Sequence, residues 1–346
     1  MKSHQFFTSL LTAYMFFNAS AVLANKAGVS QFGEHGYIEY IPGNLPIVLS
    51  APHGGPIGDD VTGAPLTVTN IIDRDCTNQE FAGNSCRTTN DYNTAVLTQA
   101  IVDSFAEKTG CYPHAVINQL ARRKLDANRE IGEAAMGDES AKTAWHEYHD
   151  FIRVAKSKIQ QDYGSGLLLD VHGHGHSQRH IQVGYLLDEN DLVLSDSELN
   201  SANLINKSSI KSLVSNNRQG FSHSALIRGR QAFGTMLEDL NMHSIPSQQS
   251  PEPYTDISFF EGGYNLAIHS SRNGGTIDGI QVELNRTDRL NSGGNVLTSA
   301  DRITDALILY IDRHYNNRFI GNYCELLKEG SILDYMPAIL APINQK

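Results

Sequence analysis

Gly164-Ser-Gly-Leu-Leu-Leu-Asp-Val-His-Gly-His-Gly-His176 is the stretch that decides how this chain folds. Before it, apolar residues recur at helical spacing from Ser140 to Tyr163, and Gly164 supplies a left-handed stop. After the stop, Gly166 to Val171 is a short apolar run suited to a buried strand. The same alternation continues outward in both directions. Strand-like runs cover Tyr37 to Tyr40, Pro46 to Ser50, Ala115 to Leu120, Ile181 to Leu187 and Ile280 to Leu284. Helical periodicity covers Tyr92 to Lys108, Leu226 to Leu240 and Ala300 to Tyr315. In the last of these, Ile303, Ala306, Leu307, Tyr310 and Ile311 form an apolar stripe. Alternating strands and helices predict an α/β fold, a three-layer α/β/α sandwich around a mixed, largely parallel central sheet. The segment from Leu187 to Gln219 is polar and rich in Ser and Asn, and reads as an insertion or a set of surface loops.

Composition limits the function classes. With 346 residues, 40% apolar and 19% charged, the chain can bury a sizeable core, which excludes disordered and fibrous classes. The net charge of −11 comes without a basic run, so nucleic acid and anionic membrane are poor partners. Residues 1–24 read as a signal peptide: Lys2, then a largely apolar stretch from Phe6 to Phe17, then the small-residue region Val22-Leu23-Ala24. That apolar core is too short to span a bilayer, which takes roughly 20 residues. The expectation is therefore an exported (periplasmic or secreted) protein that is soluble after cleavage. Four cysteines agree with an oxidising compartment. Cys76 and Cys86 flank a polar loop suited to a local disulfide, which would leave Cys111 and Cys324 as a second pair, although the sequence permits three connectivities. Pro337 to Lys346 reads as a surface tail.

In α/β sheets, ligands bind at the carboxyl ends of strands, and three strand ends carry chemistry. Ile47 to Ser50 runs into Ala51-Pro-His-Gly-Gly55, and Leu167 to Asp170 runs into the histidine series. Glu283 sits within the otherwise apolar Ile280-Gln-Val-Glu-Leu-Asn285. Two histidines beside glycines, plus a carboxylate, are the donor inventory of a catalytic zinc with an open position. A carboxylic acid in mid-strand needs a partner or a task, because burying it unpaired is costly. His172 is the expected ligand of its series, since three ligands at i, i+2 and i+4 are sterically awkward; His174 and His176 would line a pocket or the surface. Asp170 either orients an imidazole or caps a turn. In Leu120 to Arg129, guanidinium groups either clamp a substrate carboxylate or form surface ion pairs.

Together, Ala51-Pro-His-Gly-Gly, Arg122-x3-Asp126-x-Asn128-Arg129, Asp170-x-His172, Glu261-Gly-Gly-Tyr and Gln281-x-Glu283-x-Asn285 resemble, in order, the N-formylglutamate amidohydrolases. That family belongs with the zinc carboxypeptidase-like hydrolases, of phosphorylase/hydrolase-like fold. The resemblance spans Pro46 to Asn285 and implies a single metallohydrolase domain over residues 25–346, with the polar insertion around 187–219. It implies one zinc, or another divalent ion, held by His53 and His172, with Glu283 as the general base toward water. Asn128 and Arg129, with Arg122, would bind the carboxylate of a small acidic or peptide-like substrate. The position three residues after His53, a Glu in carboxypeptidases, is Pro56 here. The third ligand is then Asp91, with Asp73 and Asp75 as competitors, and Asp91 could instead merely cap a helix. His269 would stabilise an oxyanion or be a plain loop residue. The substrate could be N-formylglutamate, another N-acyl amino acid or a short peptide. The rival reading is a non-catalytic, His-rich exported metal scavenger built on His172 to His180. A serine hydrolase is disfavoured, because no Gly-x-Ser-x-Gly occurs.

Overall fold

The computed structural model describes residues 26–59, 69–78, 80 and 86–315. The expected signal peptide and C-terminal tail lie outside the described residues. Among the described residues, eight strands form one sheet: β1 (Gln31–Phe32), β2 (Ile38–Ile41), β3 (Ile47–Ala51), β4 (His114–Asn118), β5 (Gly166–His174), β6 (Ile181–Gly184), β7 (Ser244–Ile245) and β8 (Ile277–Asn285). Their order is β1-β2-β4-β3-β5-β8-β6-β7. The central pairs β4–β3, β3–β5 and β5–β8 are parallel, whereas β1–β2, β2–β4 and β8–β6 are antiparallel. The sheet is mixed and largely parallel at its centre, as the alternation predicts.

Strand periodicity distributes the side chains to two layers. Leu167, Leu169 and Val171 of β5 and Ile280, Val282 and Leu284 of β8 pack on one face, with Leu97, Ile101 and Phe105 of α1 (Thr94–Thr109). On the other face Val48, Leu168 and Ile277 meet one long helix, which follows the short α2 (Ile131–Ala135). That helix, α3 (Glu139–Tyr163), starts where the Asp138 side chain accepts from the Ala141 N–H, and stops at Gly164 with φ 80°. Its stripe Trp145, Tyr148, Ile152, Ala155 and Ile159 recurs at three and four residues and is buried. Each large apolar member contributes roughly 1.5–3 kcal/mol of burial.

The polar segment from Leu187 to Gln219 departs from the surface-loop expectation. It forms four short helices, α4 (Glu189–Leu192), α5 (Asp196–Leu199), α6 (Ala202–Lys207) and α7 (Lys211–Asn216). Leu192, Leu199, Leu204, Ile210 and Leu213 join the core on the α1 face of the sheet. A few apolar side chains anchor each helix, so the bulk composition stays polar. Asp188 and Ser195 close capping boxes with Asp191 and Glu198. The helix expected from Leu226 to Leu240 is two helices, α8 (His223–Arg228) and α9 (Phe233–Asp239), broken at Gly229. After β7 come α10 (Tyr264–His269) and α11 (Asn295–His314), whose expected stripe is buried. Strand β6 stops at Gly184 rather than Leu187, because Leu186 turns left-handed (φ 60°) and donates its N–H to the Glu261 carbonyl.

Cys76 and Cys86 form the expected disulfide. Cys111 is disulfide-bonded as well, and its expected partner Cys324 lies outside the described residues. No described helix is long and apolar enough to cross a membrane.

Candidate metal centre

The parallel register sets Ser50 of β3 beside Asp170 of β5, and His172 of β5 beside Glu283 of β8. Residues two apart share a strand face, so Asp170, His172, Gln281 and Glu283 all lie on the α3 side near the carboxyl strand ends. His172 is therefore inside β5, which extends to His174, and not in a loop beyond it as the apolar run suggested. His53 follows β3, and its carbonyl accepts from the Asp91 N–H at 3.1 Å, which draws the segment before α1 into the site. Asp91 is not the helix cap; Asn93 holds that position.

One ligand atom from each of His53, Asp91 and His172 lies within 4.8 Å of the others, and all three residues are buried. Asp91 Oδ2 is 3.3 Å from His53 Nδ1, 3.2 Å from His172 Nδ1, and accepts from the Gly173 N–H at 3.2 Å. Asp73 instead pairs with Arg123 and Lys124, and Asp75 bonds Thr77, so neither competitor reaches the group.

Each imidazole is held from behind by a carboxylate. His53 Nε2 meets Asp126 Oδ1 at 2.6 Å, and His172 Nε2 meets Asp170 Oδ2 at 2.8 Å. A carboxylate only accepts, so each Nε2 donates to the carboxylate behind it, while each Nδ1, which faces Asp91 Oδ2, becomes a ligand atom once its own proton leaves. This is the buttressing found behind metal-ligating histidines. Asp170 Oδ1 in turn accepts from Ser50 Oγ at 2.5 Å and Asn265 Nδ2 at 3.2 Å. Of its two readings, the orienting one matches this geometry.

Carboxyl groups surround the two imidazoles, balanced in part by Arg122 and Arg74. Burial would lower the His172 pKa, but Asp170, Asp91 and Glu283 outweigh it and raise it to about 10. The Asp126 carboxyl, despite burial, is held well below the usual range, chiefly by Arg122 and His53. Burial pushes the Glu283 carboxyl upward, opposed by His172 and reinforced by Asp91. Four buried carboxylates thus converge on two imidazoles, which attract either protons or a multivalent ion. A His2Asp donor set fits zinc and other divalent ions of the first transition series.

Glu283 lies outside the ligand trio, with Oε1 4.0 Å from His172 Nδ1 and accepting from Gln281 Nε2 at 3.3 Å. It lines a cleft of about 780 Å³ shared with His53, Asp91 and His172. Five arginines line the same cleft: Arg87, Arg122, Arg129, Arg286 and Arg289. Arg122 donates from Nε to Asp126 at 2.8 Å and lies 3.7 Å from Asp91 Oδ1, tying two site carboxylates together. Arg129 pairs with Glu133 at 3.5 Å. Asn128 is more scaffold than the resemblance implies: its Oδ1 accepts from the Asn265 N–H at 2.8 Å, and its Nδ2 lies 3.3 Å from His172 Nε2.

His269 does not join the site. It is buried on α10 outside the cleft lining, stacked on His149 with Nε2 2.8 Å from His149 Nδ1. Burial next to that ring and Lys156 lowers its pKa to about 2, so it cannot present a charge to an oxyanion. The scavenger reading also loses its basis. His174 lines the cleft, but its Nε2 faces the His180 carbonyl at 2.9 Å and its Nδ1 accepts from the His176 N–H. Among the described residues, His53, Asp91 and His172 form the sole ligand group.

Two contributors have no role in the sequence reading. Asp126 reaches His53 across 73 positions; its place four residues after Arg122 was the signal of an ion pair, but not of the histidine. Arg289 donates to the carbonyls of Tyr92, His174 and Leu284, stapling the segments that carry Asp91, His172 and Glu283. A side chain at Gly173 would collide with that guanidinium at 2.1 Å.

No family model matches the sequence, and no curated protein does. Among solved structures, the chain is similar to an N-formylglutamate amidohydrolase from Ralstonia eutropha JMP134, with a TM-score of 0.43 and 12% identity over 82% of this chain and 97% of that one. A gene product from Agrobacterium tumefaciens gives 0.42 and 12% over 80% and 98%. The apo N-acetylmuramyl-L-alanine amidase of Mycobacterium abscessus gives 0.29 and 13% over 77% and 98%. At such scores these likenesses carry no functional argument.

Proposed function

We propose that this protein is an exported, metal-dependent amidohydrolase that cleaves the amide bond of a small carboxylate-bearing substrate. The carrying observation is the pairing of two carboxylate-backed imidazoles and Asp91 with an adjacent, unligated Glu283 in an arginine-lined cleft. His53, Asp91 and His172 would hold the ion. A bound divalent ion supplies Lewis acidity, polarising a carbonyl and bringing the acidity of water toward neutral pH. Glu283 takes the proton of the attacking water and returns it to the leaving amine, a role that needs proximity without ligation. Arg122 and Arg129 line the cleft where a substrate carboxylate would be fixed, which converts binding into orientation. Export is supported by the Cys76–Cys86 disulfide.

The test is elemental analysis of the purified protein together with a screen of N-acyl amino acids and short peptides, with and without chelator. The expected result is about one divalent ion per chain and chelator-sensitive release of an amine. Chelator-resistant hydrolysis, or no divalent ion bound, refutes the proposal.

A further inference from the structure

A buried guanidinium stands behind the metal centre. Arg74 is 4% exposed, and its donors fan out to stretches far apart in sequence. Nε donates to the Glu133 carbonyl at 3.1 Å, and Nη1 donates to the carbonyls of Arg87 at 2.8 Å and Arg122 at 3.2 Å. Nη1 also lies 3.7 Å from Oδ2 of Asp126, the carboxylate that backs His53. Nη2 donates to Cys86 Sγ at 3.5 Å. A desolvated guanidinium must keep such partners, so it fixes the spacing between the stretches that supply them.

Two of those stretches carry the site. Cys86 and Arg87 shortly precede Asp91, and Arg122 shortly precedes Asp126. They also meet each other. The Arg122 N–H donates to Asn90 Oδ1 at 2.6 Å, and Asn90 Nδ2 donates to the Gly55 carbonyl, just past His53, at 3.1 Å. Arg74 is itself anchored on the second stretch. Its N–H donates to the Arg123 carbonyl at 2.7 Å, and Lys124 Nζ donates to the Ile71 carbonyl at 2.8 Å. The Cys76–Cys86 disulfide then ties this anchored segment covalently to the stretch that leads into Asp91.

We propose that Arg74 and the Cys76–Cys86 disulfide form one brace that positions Asp91 against His53, so that opening the disulfide weakens metal binding. This rests on the metal centre of the proposed function and adds redox control of that same site. A dithiol that passes two electrons and two protons to the disulfide leaves thiols at Cys76 and Cys86 and itself closes to a cyclic disulfide. With the covalent tie gone, Cys86 and Arg87 gain freedom, and Arg74 loses the fixed partners that hold its head group beside Asp126.

The probes are zinc and cobalt(II), titrated into the full chain. Cys76→Ser with Cys86→Ser stands for the opened state, because serine leaves no thiol to bind the metal and keeps an acceptor for Arg74 Nη2. Arg74→Gln removes the guanidinium, and a further protein carries all of these substitutions. If Arg74→Gln does not fold, Arg74→Lys, which keeps the charge without the fork of donors, replaces it. Zinc affinity, by chelator competition, should fall about tenfold in the serine pair and in the Arg74 variant, as for outer contacts of metal ligands. Because both changes break one brace, the combined loss should stay well below their product. The visible bands of bound cobalt(II), which report coordination geometry, should shift alike in all the variants. A part needed for stability alone would lower the melting temperature and leave both metal readouts unmoved. In folded variants, a zinc affinity within about twofold of the unsubstituted protein for either change, or fully multiplicative losses, overturns the assignment. Hydrolysis is followed separately. Zinc affinity that responds to the brace with no amide cleaved sinks the amidohydrolase reading and leaves this one standing. Chelator-sensitive cleavage with indifferent affinities does the reverse, and an unsubstituted protein that binds neither ion overturns both.

Discussion

Replacing Asp170 by Asn tests the metal centre at its most sensitive contact. Asp170 is fully buried, and its two oxygens do different jobs. Oδ1 accepts from Ser50 and Asn265, while Oδ2 accepts the His172 Nε2 proton at 2.8 Å. An amide that keeps Oδ1 in place turns its NH2 toward Nε2. His172 must then accept there and carry its proton on Nδ1, the atom that faces Asp91 and would ligate. If the amide instead flips, the tautomer survives but the negative charge behind the ring is gone. The second outcome sets the floor and the first the ceiling of a 10–100-fold loss in metal affinity, about 1.4–2.7 kcal/mol. The assay is zinc competition against a chromogenic chelator at neutral pH, with circular dichroism melts of the apo protein as the folding control. An unchanged zinc affinity in a folded Asp170→Asn protein would refute the reasoning, because Nδ1 of His172 could not then be a ligand oriented by this carboxylate.

Glu283→Gln should keep zinc, since Glu283 lies outside the ligand trio, yet lower kcat by about 10²–10⁴ on whichever amide is cleaved; retained turnover would sink the general-base role. Stability should fall with acid through His114, well away from the cleft. Its Nδ1 accepts from the Gly43 N–H at 3.0 Å and lies 2.9 Å from Tyr40 Oη, and burial lowers its pKa from 6.5 to about 4. The unfolded chain therefore binds this proton first. The contribution is fully present above pH 6.5 and is lost as pH falls toward 4, on the order of 2 kcal/mol by pH 5. Urea unfolding at pH 8 and pH 5 should show this loss shrinking in His114→Gln; identical losses in the two proteins would count against it.

Several features were legible because they are local. The stop at Gly164, the stripes of α3 and α11, and the short apolar strands follow from periodicity and backbone preference, which act over a few residues. The histidines at strand ends and the carboxylate inside β8 stood out as polar residues in places where polarity is costly. The Leu187 to Gln219 segment misled because composition weighs every residue equally, whereas a short helix docks through a few leucines; its capping boxes were the overlooked sign. His269 misled in the opposite way, since proximity in sequence to the Gly262-Gly263 turn says nothing about which layer α10 turns its ring toward.

By itself the sequence determined which residues could carry metal chemistry and which segments would be strands or helices, because side-chain type and spacing are fixed along the chain. Only the tertiary structure chose Asp91 over Asp73 and Asp75, set Asp126 behind the His53 imidazole, and brought Arg289 against the carbonyls of Tyr92 and His174. These contacts join residues tens to hundreds of positions apart. Their distances are set by strand register and layer packing, and no local property of the chain encodes them.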